Sequence, residues 1–221
     1  MQNNSQELYT AYQDMTQKAA DLQFAAAVLG WDQEVYMPSK GFAHRGRQLA
    51  TLATQAHELL TNDNYGNLLQ QLAVADGLTD VQQNNVRLSL EDYEKNKKLP
   101  PAFVEAITMQ TSVSYNAWLH ARNANNPEVY AMQLTQMLDL KKQQAQYYGY
   151  KAHPYDALLD EYEKGATVAM LDPVFAKVKE QLPPLLDKIK NTTQVKNDFL
   201  HQHFPKQEQW DFSRLGLNTV G

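Results

Sequence analysis

Leu8, Tyr12, Met15, Ala19, Leu22, Ala26 and Leu29 follow one another at alternating steps of four and three residues. Those steps put them on one stripe of a helix of 3.6 residues per turn, so a long first helix is predicted. Asn4 and Glu7 offer its cap, and Gly30 with the segment up to Pro38 its interruption. Phe42, Leu49, Leu52, Ala56 and Leu59 mark a second helix beginning near Ser39 and broken at Thr61-Asn-Asp-Asn. A short helix from Tyr65 to Ala75 is stopped by Asp76-Gly77. Thr79-Asp-Val-Gln82 has the spacing of a capping box and opens a helix to Lys98, ended by Leu99-Pro-Pro101.

Phe103, Ile107, Thr111, Tyr115 and Trp118 then set the apolar face of a fifth helix. Asn126-Pro127 supplies a cap and a first-turn proline for a sixth, which carries Tyr130, Leu134, Met137, Lys141, Ala145 and Tyr148 up to Gly149. A short helix is predicted from Pro154 to Glu163, stopped at Gly165. Another starts at Asp172-Pro173, carries Phe175, Val178, Leu182, Leu185 and Ile189, and is expected to kink at Pro183-Pro184. The last helix is placed from Pro205 to Leu215, ending at Gly216. No segment alternates with period two over strand length, and helix pairs do not repeat at a fixed period. The expected fold class is all-α, in a single helical region over residues 1–221 with a subdivision near 149–154.

Composition narrows the functional classes. The 221 residues carry a net charge of −5, with acidic and basic positions interleaved, so no basic stripe is available for nucleic acid. A mean hydropathy of −0.58 comes from scattered Gln and Asn, while 43% apolar residues are enough for a globular core. Cysteine is absent, which removes disulfides, thiolate metal sites and cysteine nucleophiles together. The longest charge-free apolar run, Leu22 to Trp31, is about half of the ~20 residues that span a bilayer. The N-terminus lacks the basic start and apolar run of a secretory signal, so a cytoplasmic protein without membrane association is expected.

The search for chemistry finds fragments of motifs. A zinc helix needs His-Glu-x-x-His, which puts two imidazoles one turn apart on one face. His57-Glu58 begins that pattern, but Thr61 stands in place of the second histidine. His201 and His203, two residues apart, cannot share a helical face. No metal site and no catalytic residue are therefore assigned. Asp156 and Asp160 fall one turn apart on a short acidic segment with Glu161 and Glu163, and a structural or wall-lining role is expected for them over catalysis. No phosphate loop and no serine elbow occur.

Two longer segments are more specific. Leu29-Gly-Trp-Asp-Gln33, then Met37-Pro38 and Arg45-Gly-Arg-Gln-Leu-Ala-Thr-Leu52, resemble the N-terminal signature of the Taq-type metallocarboxypeptidases, the thermostable carboxypeptidase 1 family. Tyr150 through Thr167 resembles that family's Tyr-Asp-Ala-Leu-Leu-Asp-x-Tyr-Glu-Pro-Gly segment, and Trp118-Leu-His-Ala-Arg122 and Phe175 to Leu186 are in its style. The likeness covers essentially the whole chain, with departures at Lys164, where the family usually has proline, and at Asn125-Asn-Pro-Glu128. The resemblance implies a metal-dependent exopeptidase that releases C-terminal residues from peptides, with a divalent metal, zinc, as cofactor and peptide as substrate. It also implies that the zinc helix, the substrate-carboxylate arginines and the third metal ligand lie outside these 221 residues. The chain is then expected to be the N-terminal part of the fold, its long helices forming one wall of a groove, inactive by itself, with Tyr155, Asp156 and Tyr162 as candidates to face substrate. Self-association through uncovered apolar helix faces, centred on Phe204, Trp210, Phe212 and Leu215, is a further expectation. The competing reading is a stand-alone helical binding or scaffold module without catalysis.

Overall fold

A computed structural model describes residues 2–193 and 196–220. The described residues form α-helices and short 3-10 turns and contain no strand. Two compact units divide the chain, Met1–Val168 and Ala169–Gly221, so residues 149–154 lie inside the first.

The first unit opens with α1 (Gln2–Val35), α2 (Phe42–Thr61), α3 (Asp63–Ala73) and α4 (Asp80–Asn96). Its core joins Tyr9 and Tyr12 of α1, Tyr65, Leu68, Leu69 and Leu72 of α3, Leu78, and Val86 and Tyr93 of α4. The four tyrosines keep their hydroxyls satisfied, as burial requires. Asn85 Nδ2 donates to Tyr9 at 3.0 Å, Tyr12 shares a hydrogen bond with Ser89 at 2.8 Å, and Lys97 donates to Tyr93 at 2.7 Å. Burial pushes the Tyr65 phenol up to about 12. Glycine is required at position 66, where a Cβ would collide with the Tyr93 ring.

The stripe from Leu8 to Leu29 is the inward face of α1, as its spacing predicts. The predicted interruption at Gly30 does not occur: α1 continues to Val35 and stops before Pro38, which has no N–H to extend it. One glycine costs roughly 1 kcal/mol in a helix, and the bonds from Arg45 to Asp32 and to the Leu29 carbonyl hold this turn against α2. Asn4 lies inside α1 rather than at its cap. After a 3-10 turn at Ser39–Gly41, α2 presents Phe42, Ala50 and Ala56 inward. Asn62 caps α3 by accepting from Tyr65 N at 2.8 Å, and Thr79 with Gln82 forms the predicted capping box of α4.

Helices α5 (Pro101–Asn123) and α6 (Glu128–Tyr148) complete the helical part of this unit, with a four-residue α7 at Asp156–Leu159. The apolar face expected for α5 is corrected. Thr111 and Trp118 are exposed, while Ser112, Ser114 and Ala121 are buried with Phe103. Small residues explain the rotation, because a Cβ on Gly46 of α2 would meet Ser112 Cβ at 3.3 Å, so the two helices approach closely. Asn125, at φ 47°, ends α5 in the left-handed conformation that asparagine tolerates, and Gly149, at φ 80°, ends α6.

The second unit holds nearly all of α8 (Val168–Lys190), a 3-10 turn at Asp198–His201 and α9 (Lys206–Val220). Three boundaries are corrected around it. The helix predicted from Pro154 to Glu163 is only the four residues of α7. The next helix starts at Val168, four residues before Asp172, and runs through Pro173, Pro183 and Pro184. α9 continues through Gly216 to Val220. Neither α8 nor α9 has a buried residue. Phe175, Val178, Leu182, Leu185 and Ile189 share one face of α8, each close to half exposed, and Phe204, Trp210, Phe212 and Leu215 are exposed to at least the same degree.

Candidate functional site

The segment that resembles the family most closely lines an open cleft of about 1000 Å³ in the first unit. One side is the second half of α4, with Glu91, Asp92, Glu94 and Lys95, and Lys98 just beyond its end. The other is the end of α6 with the connection from Gly149 to Thr167. Three acidic residues of that connection, Asp156, Asp160 and Glu161, are occupied in holding it. Asp156 accepts from His153 N at 3.2 Å through one oxygen and from Val168 N at 2.8 Å through the other, so it closes its own turn and caps α8 from twelve residues upstream. This remote cap explains why α8 starts before Asp172.

Asp160 accepts from Lys95 Nζ at 2.9 Å and from Gly165 N at 3.0 Å. These two donors, Lys95 foremost, hold its carboxyl below the usual range. Asp156 and Asp160 therefore do not act as a carboxylate pair; each has separate partners. Glu161 takes bonds from Gln144 Nε2 at 2.9 Å and Tyr148 at 3.1 Å, with Lys141 at 3.8 Å. Gln144 is buried, and burial pushes the Tyr148 phenol up to about 12, with the nearby Glu161 charge adding to the rise. The Lys95 ammonium also lies 4.9 Å from the Tyr148 ring centroid, a favourable cation–π position. Lys164, the departure from the family's proline, pairs with Glu91 of α4 and is the main cause of that carboxyl's lowered pKa.

Of the three candidates for facing substrate, Asp156 lines the cleft but spends both oxygens on backbone N–H groups. Tyr155 is 53% exposed and Tyr162 is 87% exposed, and neither lines the cleft. The half-exposed Tyr150, which does line it, was not singled out by the sequence. Its signal was adjacency to Gly149, where the chain turns.

The histidines have other duties. His57 Nε2 bonds the Leu99 carbonyl at 2.8 Å, joining α2 to the start of α5, and Thr61 bonds the His57 carbonyl at 2.7 Å. His153 Nδ1 accepts from Tyr155 N at 3.1 Å, and His201 and His203 are exposed. Among the described residues no group of three His, Cys, Asp or Glu side chains converges as a metal site would require. The other signature, around Asp32 and Arg45, is a structural joint: Arg45 pairs with Asp32 at 2.7 Å and also donates to the Leu29 carbonyl.

An all-helical fold carrying the two motif segments is what the resemblance to a helical metallopeptidase family predicts. The sequence profile of the carboxypeptidase Taq (M32) metallopeptidase family matches residues 11–221, and the chain belongs to that family. It is 30% identical over 210 residues to carboxypeptidase 1 of Bacillus subtilis, covering 94% of this chain and 42% of that protein. The crystal structure of BsuCP superposes with a TM-score of 0.92 at 28% identity, over 97% of this chain and 44% of its own. A structure of the protein called CHT is 49% identical over the same shares, with a TM-score of 0.79. The chain thus spans about two fifths of the length of the curated relatives it matches. Among the described residues no helix is long and apolar enough to cross a membrane.

Proposed function

We propose that these 221 residues are the N-terminal helical part of a metal-dependent carboxypeptidase that releases C-terminal amino acids from peptides, and that they have no such activity alone. The observation that carries this reading is the family match over residues 11–221. The donor set described above does not fit a metal, so no step of bond cleavage is routed through these residues. The cofactor proposed for the whole activity is a divalent metal, zinc, held by residues other than these. The role of this chain is to shape the groove. Tyr155 and Tyr162 offer exposed phenols that can bond a peptide backbone, and Asp156 orients the turn that carries Tyr155. A cysteine-free composition supports a cytoplasmic setting. The exposed apolar faces of α8 and α9 support self-association, which light scattering over a concentration series would reveal.

The test pairs a peptide having a free C-terminus with its amidated form, with and without chelator. The 221-residue chain should release nothing. Fused to the part of Bacillus subtilis carboxypeptidase 1 that it does not match, it should give chelator-sensitive release from the free peptide only. Activity of the chain alone, or an inactive fusion that is folded and metal-loaded, would overturn the proposal. The second reading, a helical binding or scaffold module, has in its favour the core that the first unit builds from its own α1, α3 and α4. It predicts stoichiometric peptide capture without cleavage.

A further inference from the structure

The connection lining the cleft is held by a different kind of interaction from the helices around it. Gly149 and Gly165, both at positive φ, bracket most of residues 149–167. Within that stretch Ala166 is the one buried residue, and Ala157, Leu158 and Leu159 are partly buried. Its remaining anchors are carboxylates and an ammonium. Asp160 meets Lys95 of α4, and Lys164 meets Glu91 of α4. Glu161 meets Gln144, Tyr148 and Lys141 of α6, and Asp156 bonds the backbone at both ends of the turn. The charged and titratable groups around it are Glu91, Asp92, Glu94 and Lys95 from α4, Lys98 just beyond it, and Lys141 and Tyr148 from α6. Besides the anchors, the segment itself carries Tyr150, Lys151, His153, Tyr155, Tyr162 and Glu163. The aromatic core of α1, α3 and α4 shares no residue with the segment.

We propose that residues 149–167 form a strap along one side of the cleft that opens as a unit of its own before the aromatic core unfolds, latched to α4 and α6 by Asp160 and Glu161. Elements held by few apolar contacts and by partly exposed hydrogen bonds open at lower free energy than a packed core. Opening frees the faces of α4 and α6 that the strap covers and releases Tyr155 and Tyr162 from a fixed position. It also withdraws the cap that Asp156 places on Val168. The device does not depend on peptidase activity, and its failure would leave the family reading untouched.

Hydrogen exchange read by mass spectrometry on the 221-residue chain tests it. At neutral pH the strap amides should be less protected than those of segments 65–72 and 86–93. Asp160→Asn and Glu161→Gln should each raise strap exchange at least about tenfold, the loss of a charged hydrogen bond, whereas Leu69→Ala should raise exchange in the two core segments and leave the strap unchanged. Acidification below about pH 4, where the lowered Asp160 carboxyl takes up its proton, should raise strap exchange in the unaltered chain after correction for intrinsic exchange. Equal protection of strap and core in the unaltered chain would overturn the proposal even if a variant fails to fold. So would a Leu69→Ala variant in which strap and core exchange rise together.

Discussion

Leu69 and Leu182 are the same residue type, on helices, with opposite fates. Leu69 is 0% exposed among the tyrosines and leucines of α1, α3 and α4, whereas Leu182 is 45% exposed on α8. The contrast extends to their units: the first builds a core from helices far apart in sequence, and in the second neither helix has a buried residue. An apolar stripe at helical spacing predicts a helix in both cases. It stabilises the fold only where a second stripe faces it, because area removed from water, not periodicity, carries the free energy.

The largest expected difference is all or none. Residues 1–168 produced alone should unfold cooperatively on heating, followed by circular dichroism, and residues 169–221 alone should show no cooperative transition. A sharp transition in the shorter piece would erase the contrast. Next in size, Leu69→Ala should destabilise the protein by about 2–5 kcal/mol in denaturant titrations, through transfer and cavity terms. Leu182→Ala should stay within about 0.5 kcal/mol, as exposed substitutions do. Gly66→Ala sharpens the picture of the first core. The added methyl must displace Tyr93, a buried ring held by Lys97, at a cost of about 1–3 kcal/mol in the same titration.

The smallest effect is electrostatic and belongs to the first unit. The Asp160 carboxyl is held below its usual range in the folded protein by Lys95 and Gly165. Its contribution is therefore fully present above the unfolded value of about 3.9 and is lost as pH falls through the lower folded value. Asp160→Asn should remove that part of the acid dependence, read as a shallower loss of denaturation midpoint below about pH 4. An identical acid profile in the variant would show that the Lys95 pair contributes nothing net, as exposed pairs often do.

What was legible in the sequence was local. The stripe from Leu8 to Leu29 and the Thr79 and Gln82 capping box each depend on residues within a few turns, so spacing and side-chain chemistry were sufficient. The family was legible too, from the two motif segments. The candidate site was legible only as a stretch of acidic residues, because the use of each carboxylate depends on a donor brought from elsewhere. Lys95 lies 65 residues from Asp160, and Gln144 lies 17 from Glu161. Tertiary structure also set the buried face of α5, where Ser112 goes inward because Gly46 lets the α2 backbone come close. It set the start of α8 as well, through the Asp156 oxygen that accepts from Val168. The sequence by itself determines where a helix can form and which positions are apolar. Which stripe is covered, and which carboxylate is used as a latch, is decided by close approach between distant segments, since burial and hydrogen bonding are properties of pairs.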